Sequence, residues 1–220
     1  MESQARPRLR ARATRRRLQN SGDVKLNTDA AAAILTPIYD SLPKTVAAGQ
    51  HNLTYGEIEW ASLKIIAKYA EKMSGSLGKF YDLGCGRGRA VLYMALTGLF
   101  QGSIGIEVLP ERINLAQQAL NTLKTSIPSV GSRVRLYEAS FLNPSFKYKD
   151  ASVVFLSNMC FDDNTQTAIF NKLNLEMPKD SLVFCCRVPS TLPSAFEPVA
   201  VENAPMSWIS ESQLYILRHL

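Results

Sequence analysis

Apolar and polar positions follow two different periods along this chain, and the order in which the periods alternate predicts its architecture. Asn27 and Thr28 are cap candidates for a short helix over Asp29–Leu35, with Pro37 as its stop. From Tyr55 to Met73 the apolar residues Ile58, Leu63, Ile66, Tyr69, Ala70 and Met73 fall at helical spacing. Short β-prone runs then recur at 79–83, 103–107, 133–138, 151–157, 181–188, 196–202 and 212–218. Helical patterns at 88–98, 110–124 and 163–175 separate the earlier runs. Strand–helix alternation that finishes on two consecutive strands predicts an α/β fold: a doubly wound, mostly parallel, seven-stranded Rossmann-like sheet with an antiparallel closing hairpin. Three parts are expected: an Arg-rich tail and linker over 1–26, a helical cap over 27–78, and the α/β core over 79–220. There are no internal repeats.

Composition sharpens this picture in three places. At 220 residues and 46% apolar, the chain can bury a full core as one unit. Its longest apolar stretch, around Ala90–Phe100, is too short to span a bilayer, and the amino terminus has no signal-peptide h-region, so an intracellular protein without membrane contact is expected. Residues 1–17 contain seven Arg and one Glu, a net +6 equal to that of the whole chain, which leaves 18 basic and 18 acidic residues elsewhere. The basic pI therefore belongs to a tail too poor in apolar residues to order itself. That tail suits an arm following phosphates or an acidic protein face, a nuclear import signal, or an organelle transit peptide. The near-alternation of Arg6, Arg8, Arg10 and Arg12 would spread charge around a helix, which counts against the transit peptide while leaving a mitochondrion open as a destination. Nucleic acid is the expected partner of Arg6–Arg17, and the nucleus is expected ahead of the cytoplasm. Cys85, Cys160, Cys185 and Cys186 lack C-x-x-C spacing and are expected as reduced, buried thiols; with only His51 and His219 beside them, no metal site is expected.

The densest chemistry lies at residues 80–89, Phe-Tyr-Asp-Leu-Gly-Cys-Gly-Arg-Gly-Arg. Gly84, Gly86 and Gly88 permit positive φ and close backbone approach to a ligand, and the helix start behind them supplies unpaired N–H groups. A dinucleotide fingerprint wants its third glycine one position later, where Arg89 stands. Asp82 also suits a cationic amine better than a pyrophosphate. S-adenosylmethionine (SAM) carries an amino group and a sulfonium and no phosphate, and the turn resembles the first motif of the seven-strand methyltransferases. Residues 103–109 form a second strand ending in Glu107, 25 residues after Asp82, where an acidic side chain can accept from both ribose hydroxyls; Pro110 follows at a helix N1 position. The bland alternatives are a plain strand-to-helix turn and an exposed helix-capping Glu107.

A more specific resemblance runs in order through residues 50–219. Leu53-Thr54-Tyr55-Gly56-Glu57, the Asp82–Gly88 turn, Gly105-Ile106-Glu107, Ser140-Phe141-Leu142, Phe155–Phe161 and Met206-Ser207-Trp208 with Tyr215 together resemble the non-SET histone lysine methyltransferases, the disruptor-of-telomeric-silencing family. That resemblance implies SAM as cofactor and a histone or nucleosome as substrate. It implies that Tyr55 and Glu57 close over the methionyl part, that Gly84 and Gly86 lie under the cofactor, that Glu107 holds the ribose, and that Phe141 stacks on the adenine with Ser140 beside it. It further implies that Ser157 or Asn158, with Trp208 and Tyr215, line a channel for the target lysine. Three positions depart from the pattern: Ser140 replaces an acidic residue, Ile58 a hydroxyl side chain, and Ser157 an asparagine.

The chemistry requires placement more than reactive side chains. Methyl transfer from a sulfonium is an in-line displacement, so an aligned neutral amine in a dry channel suffices and no catalytic base need be visible. Two other readings stay open at this point. An RNA methyltransferase would use the arginine tail on the backbone, although the chain has neither an Asn-Pro-Pro-Tyr nor a Pro-Cys motif. A scaffold of the same fold without turnover is the other. Trp208, Phe161 and Tyr215 could equally be plain packing aromatics.

Overall fold

The computed structural model describes residues 24–45, 56–207 and 209–220; the arginine-rich tail, Tyr55 and Trp208 lie outside the described residues. Helix α1 spans Thr28–Ser41, and Asn27 is its cap, accepting from the Ala30 N–H at 2.8 Å. Pro37 was expected to stop this helix, but lies inside it. The residues after the proline explain why: Ile38 and Tyr39 are buried, and the Tyr39 hydroxyl donates to the Arg87 carbonyl at 3.0 Å. Burying two such side chains contributes about 3–6 kcal/mol, enough to offset the ~3 kcal/mol cost of an internal proline. Helix α2 spans Trp60–Glu71 rather than starting at Tyr55, because residues 57–59 pair in extended form with a distant segment.

The seven expected strands are all present: β1 Lys79–Leu83, β2 Gly102–Glu107, β3 Val134–Glu138, β4 Ala151–Leu156, β5 Leu182–Cys185, β6 Phe196–Asn203 and β7 Gln213–His219. Helices α3 Arg89–Thr97, α4 Pro110–Ser126, the single turn α5 Val130–Arg133, and α6 Asp163–Glu176 connect them. The sheet order is β3-β2-β1-β4-β5-β7-β6, parallel except that β7 runs antiparallel to both its neighbours. Strand β5 ends at Cys185, short of the expected 188, since the Cys186 and Arg187 N–H groups donate to Asn158 Oδ1 at 2.9 and 3.0 Å.

Leu35, Leu63, Ile66, Leu92 and Leu120 from α1–α4 cover one face of the sheet over Phe80, Val153 and Phe184. On the other face Ile169, Phe170 and Leu173 of α6 join Tyr148 over Leu83, Val154 and Val183. Chain order reverses between β1, which leads outward to β2 and β3, and β4, which leads the other way. A crevice opens at the carboxyl ends of these two strands. Gly105 in β2 lets the turn after β1 sit tightly there: a Cβ at this position would lie 2.7 Å from Cys85 Sγ and 2.9 Å from Val91 Cγ2. All four cysteines are free; Cys85, Cys185 and Cys186 are buried as expected, whereas Cys160 is only partly so. Burial pushes the Cys186 thiol up to about 12, which keeps it protonated and inert at neutral pH. Among the described residues, no helix is long and apolar enough to cross a membrane.

Candidate functional site

The glycine turn fills the gap between β1 and α3 with three left-handed residues: Gly84 at φ +87°, Gly86 at +53° and Gly88 at +76°. The Gly84 and Cys85 N–H groups donate to the Ile106 carbonyl at 2.8 and 3.0 Å, which pins the turn to the end of β2. Glu107 finishes the job. Its Oε2 accepts from the Gly86 N–H at 2.9 Å, and its Oε1 accepts from the Val108 and Leu109 N–H groups at 2.8 and 3.0 Å. Glu107 thus does serve the start of α4, but as a buried residue and not an exposed cap. Gly88 has a packing role, since a Cβ there would approach Ala116 Cβ to 3.0 Å.

Above the turn lies a cavity of about 240 Å³. Its wall brings together Glu57, Asp82, Gly84, Gly86, Glu107, Ser140, Phe141 and Ser157 of the expected site residues. Asp82 is 3% exposed and its Oδ1 has no hydrogen-bond partner among the described residues. Burial, reinforced by the charge of Glu107, holds its carboxyl well above the usual carboxylate range. A buried acidic side chain in the lining of a cavity, with one oxygen unpartnered among the described residues, fits a cationic ligand group. Phe141 and Phe161 stack with ring centres 5.5 Å apart, and Phe161 covers Gly84, so both rings offer the cavity an apolar wall.

The titration of Asp82 yields a test. Without ligand, the folded protein binds more protons than the unfolded chain at pH values between the ordinary carboxylate range and the raised one. Its contribution to stability therefore falls as pH rises through that window. A cation beside Asp82 favours the carboxylate and expels the proton, so affinity for a cationic ligand should rise with pH across the same window. Calorimetric heats of SAM binding are expected to vary with the ionisation enthalpy of the buffer, and Asp82→Asn should abolish that variation while weakening binding. A buffer-independent heat for the wild type would show that no cation docks against Asp82.

Three expected site residues do not reach the cavity wall: Gly88, Asn158 and Tyr215. Asn158 is fully buried and its amide is spent within the fold. It donates to Gln166 Oε1 at 2.6 Å and to the Arg187 carbonyl at 2.7 Å, besides accepting from the two N–H groups beyond β5. Tyr215 stands opposite Cys185 in β7, with its hydroxyl on Gln213 Oε1 at 2.5 Å. Ser157, at the end of β4, is the member of the Ser157–Asn158 pair that faces the cavity. Arg89, Arg112, Phe161 and Thr165 also line it and were not expected to. Arg89 had a signal, as the residue displacing a dinucleotide glycine. Its guanidinium lies 4.0 Å from the Trp60 ring and donates to the Ile58 carbonyl at 3.3 Å. Arg112 and Thr165 carried none.

The loop before α2, which lines this cavity, pairs with the connection between β6 and β7, 150 residues away. Ile58 and Met206 form an antiparallel bridge. The Ser207 N–H donates to the Glu57 carbonyl and the Glu57 N–H to Ser207 Oγ, both at 2.8 Å, while Ser62 Oγ donates to the Pro205 carbonyl at 2.6 Å. The Glu57 carboxylate receives Arg87 Nε at 2.9 Å and Nη2 at 2.6 Å, with Arg89 3.5 Å away. The two segments that flank Tyr55 and Trp208 are thereby joined over the glycine turn.

The sheet order and the crevice beyond β1 and β4 define the seven-strand class I methyltransferase fold. Residues 43–187 match the family described as "Histone methylation protein DOT1", and the chain belongs to that family. It is 30% identical over 175 residues to the Caenorhabditis elegans protein named "Histone-lysine N-methyltransferase, H3 lysine-79 specific", an alignment covering 74% of this chain and 18% of that much longer relative. Solved structures share the fold. An RNA methyltransferase from Salinibacter ruber superposes with a TM-score of 0.50 at 18% identity, covering 70% of this chain and 87% of its own. The putative methyltransferase yhhF from Escherichia coli superposes with a TM-score of 0.56 at 13% identity, covering 71% and 82%.

Proposed function

We propose that this protein is a SAM-dependent protein lysine N-methyltransferase whose acceptor is a core histone within a nucleosome, acting in the nucleus. The observation that carries the cofactor assignment is Asp82, a buried carboxyl with one oxygen unpartnered among the described residues, in the lining of a cavity shared with the glycine turn, Glu107 and two stacked aromatics. Membership of the DOT1 family and the relative's name support the acceptor.

Asp82 would hold the methionyl ammonium, the Gly84–Gly86 backbone would lie beneath the cofactor, and Glu107 would face the ribose with Phe141 and Ser140 at the adenine. When bound, SAM supplies a methyl group on a sulfonium, activated without help from the protein. The chain's residues then have two tasks. Ser157, with Trp208 as the resemblance implies, would shape the path of the lysine and align its nitrogen. Apolar walls such as Phe155 and Phe161 would exclude water, and desolvation favours the neutral amine over the ammonium form with its ordinary pKa of ~10.4. Arg6–Arg17 would hold the substrate complex through DNA phosphates or an acidic protein face.

The test is tritiated-SAM labelling of nucleosomes, free histones and total RNA in parallel, using the full chain and a variant lacking residues 1–17. Label is expected on a histone lysine by mass spectrometry. Removing the tail is expected to leave SAM affinity unchanged, near micromolar or roughly −8 kcal/mol, and to weaken nucleosome binding. The lost binding should be steeply salt-dependent, with a slope near −0.9 per phosphate contacted on duplex DNA. Label on nucleobase or ribose with proteins unlabelled would replace the lysine reading by the RNA one. Cofactor binding without label on any acceptor would favour a scaffold.

A further inference from the structure

Glu57 lines the cavity, yet its carboxylate is already engaged by two arginines. Arg87 comes from the glycine turn itself. Its guanidinium is almost fully buried, grips Glu57 through two nitrogens, and donates from the third to the Pro43 carbonyl at 3.1 Å. A buried ion pair brings little net stability, because desolvating both charges costs as much as their attraction returns. What this pair does is tie two parts of the cavity lining together. Gly86 and Glu57 both line the cavity, and Arg87, next to Gly86 in the chain, bridges the glycine turn to Glu57. On its far side the Glu57 backbone is held by Ser207 through two hydrogen bonds of 2.8 Å.

We propose that Arg87 and Ser207 are positioning residues that, acting through Glu57, couple filling of the cavity to the rigidity of residues 205–207 on the acceptor side. The inference rests on the reading of the cavity as a SAM site. A ligand touching both the glycine turn and residues 56–58 stabilises the arrangement in which the two are held together. The same loop residues share backbone hydrogen bonds with 205–207, so that arrangement also holds the acceptor-side segment in place. Coupling of this kind is reciprocal: whatever the cofactor gains from a fixed acceptor segment, the acceptor gains from a bound cofactor. The enzyme would then favour the acceptor only once the cofactor is in place.

Hydrogen exchange of the full chain, with and without saturating S-adenosylhomocysteine, tests this. In the wild type, amides in 82–88, 56–59 and 204–210 are all expected to slow by tenfold or more. Ser207→Ala removes one of the two hydrogen bonds at an exposed position, so folding is not at risk. It should keep the slowing at 82–88 while that at 204–210 falls below threefold, and Ser207→Thr, which retains the hydroxyl, should restore it. Arg87→Met should behave like Ser207→Ala. Full ligand-induced protection of 204–210 in Ser207→Ala, or wild-type protection confined to 82–88 and 56–59, would overturn the coupling while leaving the cofactor site intact. No protection at 82–88 would overturn the cofactor reading, and the coupling with it.

Discussion

Gly86→Val is expected to leave no measurable SAM binding by calorimetry, a loss of at least 100-fold or about 2.7 kcal/mol. Two effects add. Gly86 sits at φ +53°, where a β-branched side chain is strained by at least 1–2 kcal/mol, and its carbon lies on the cavity wall, where a side chain would occupy cofactor space. Its N–H is also the donor that holds Glu107 Oε2, so a shift of the turn would misplace the residue expected at the ribose. Near-wild-type affinity in this variant would place the cofactor somewhere other than over the turn.

The second large effect is on stability. Asn158→Ala is expected to lower the free energy of unfolding by about 3–5 kcal/mol, read from the midpoint of urea denaturation. The substitution removes four hydrogen bonds, takes the Asn158 partner from the Arg187 N–H and the Gln166 amide oxygen, and leaves the Cys186 N–H only its longer bond to the Leu156 carbonyl at 3.3 Å. Asn158→Asp should fare no better, because a carboxylate oxygen would then face Gln166 Oε1 and the Arg187 carbonyl. A loss below 1 kcal/mol with turnover abolished would instead identify Asn158 as a residue that touches the acceptor.

The strands were legible because each is a short β-prone run bounded by polar or helical stretches, and the glycine turn because its spacing has a backbone reason. What sequence patterns missed were outcomes of distant contacts. Pro37 reads as a helix stop until Ile38 and Tyr39 find their burial. Tyr55–Met73 reads as one helix until Glu57–Glu59 find Pro205–Ser207. Asn158 and Ser157 cannot be told apart locally, since which one faces the cavity depends on Gln166 and on the residues after β5. The resemblance located the cofactor loop and the Ser207 segment without revealing that they are joined, and Arg87 read as a variable residue between two glycines.

The insertion of β7 between β5 and β6 also bears on how the protein is made. During synthesis Leu182–Cys185 emerges with one hydrogen-bonding edge open, and Phe196–Asn203 emerges before Gln213–His219, the strand it pairs with. Both edges stay bare until Gln213–His219 leaves the ribosome, and bare strand edges invite pairing with other chains. The connection that pins Glu57 lies between Phe196–Asn203 and Gln213–His219. A nascent chain thus completes its sheet and secures Glu57 in the same late event, and a chain stopped before residue 213 is expected to carry both bare edges.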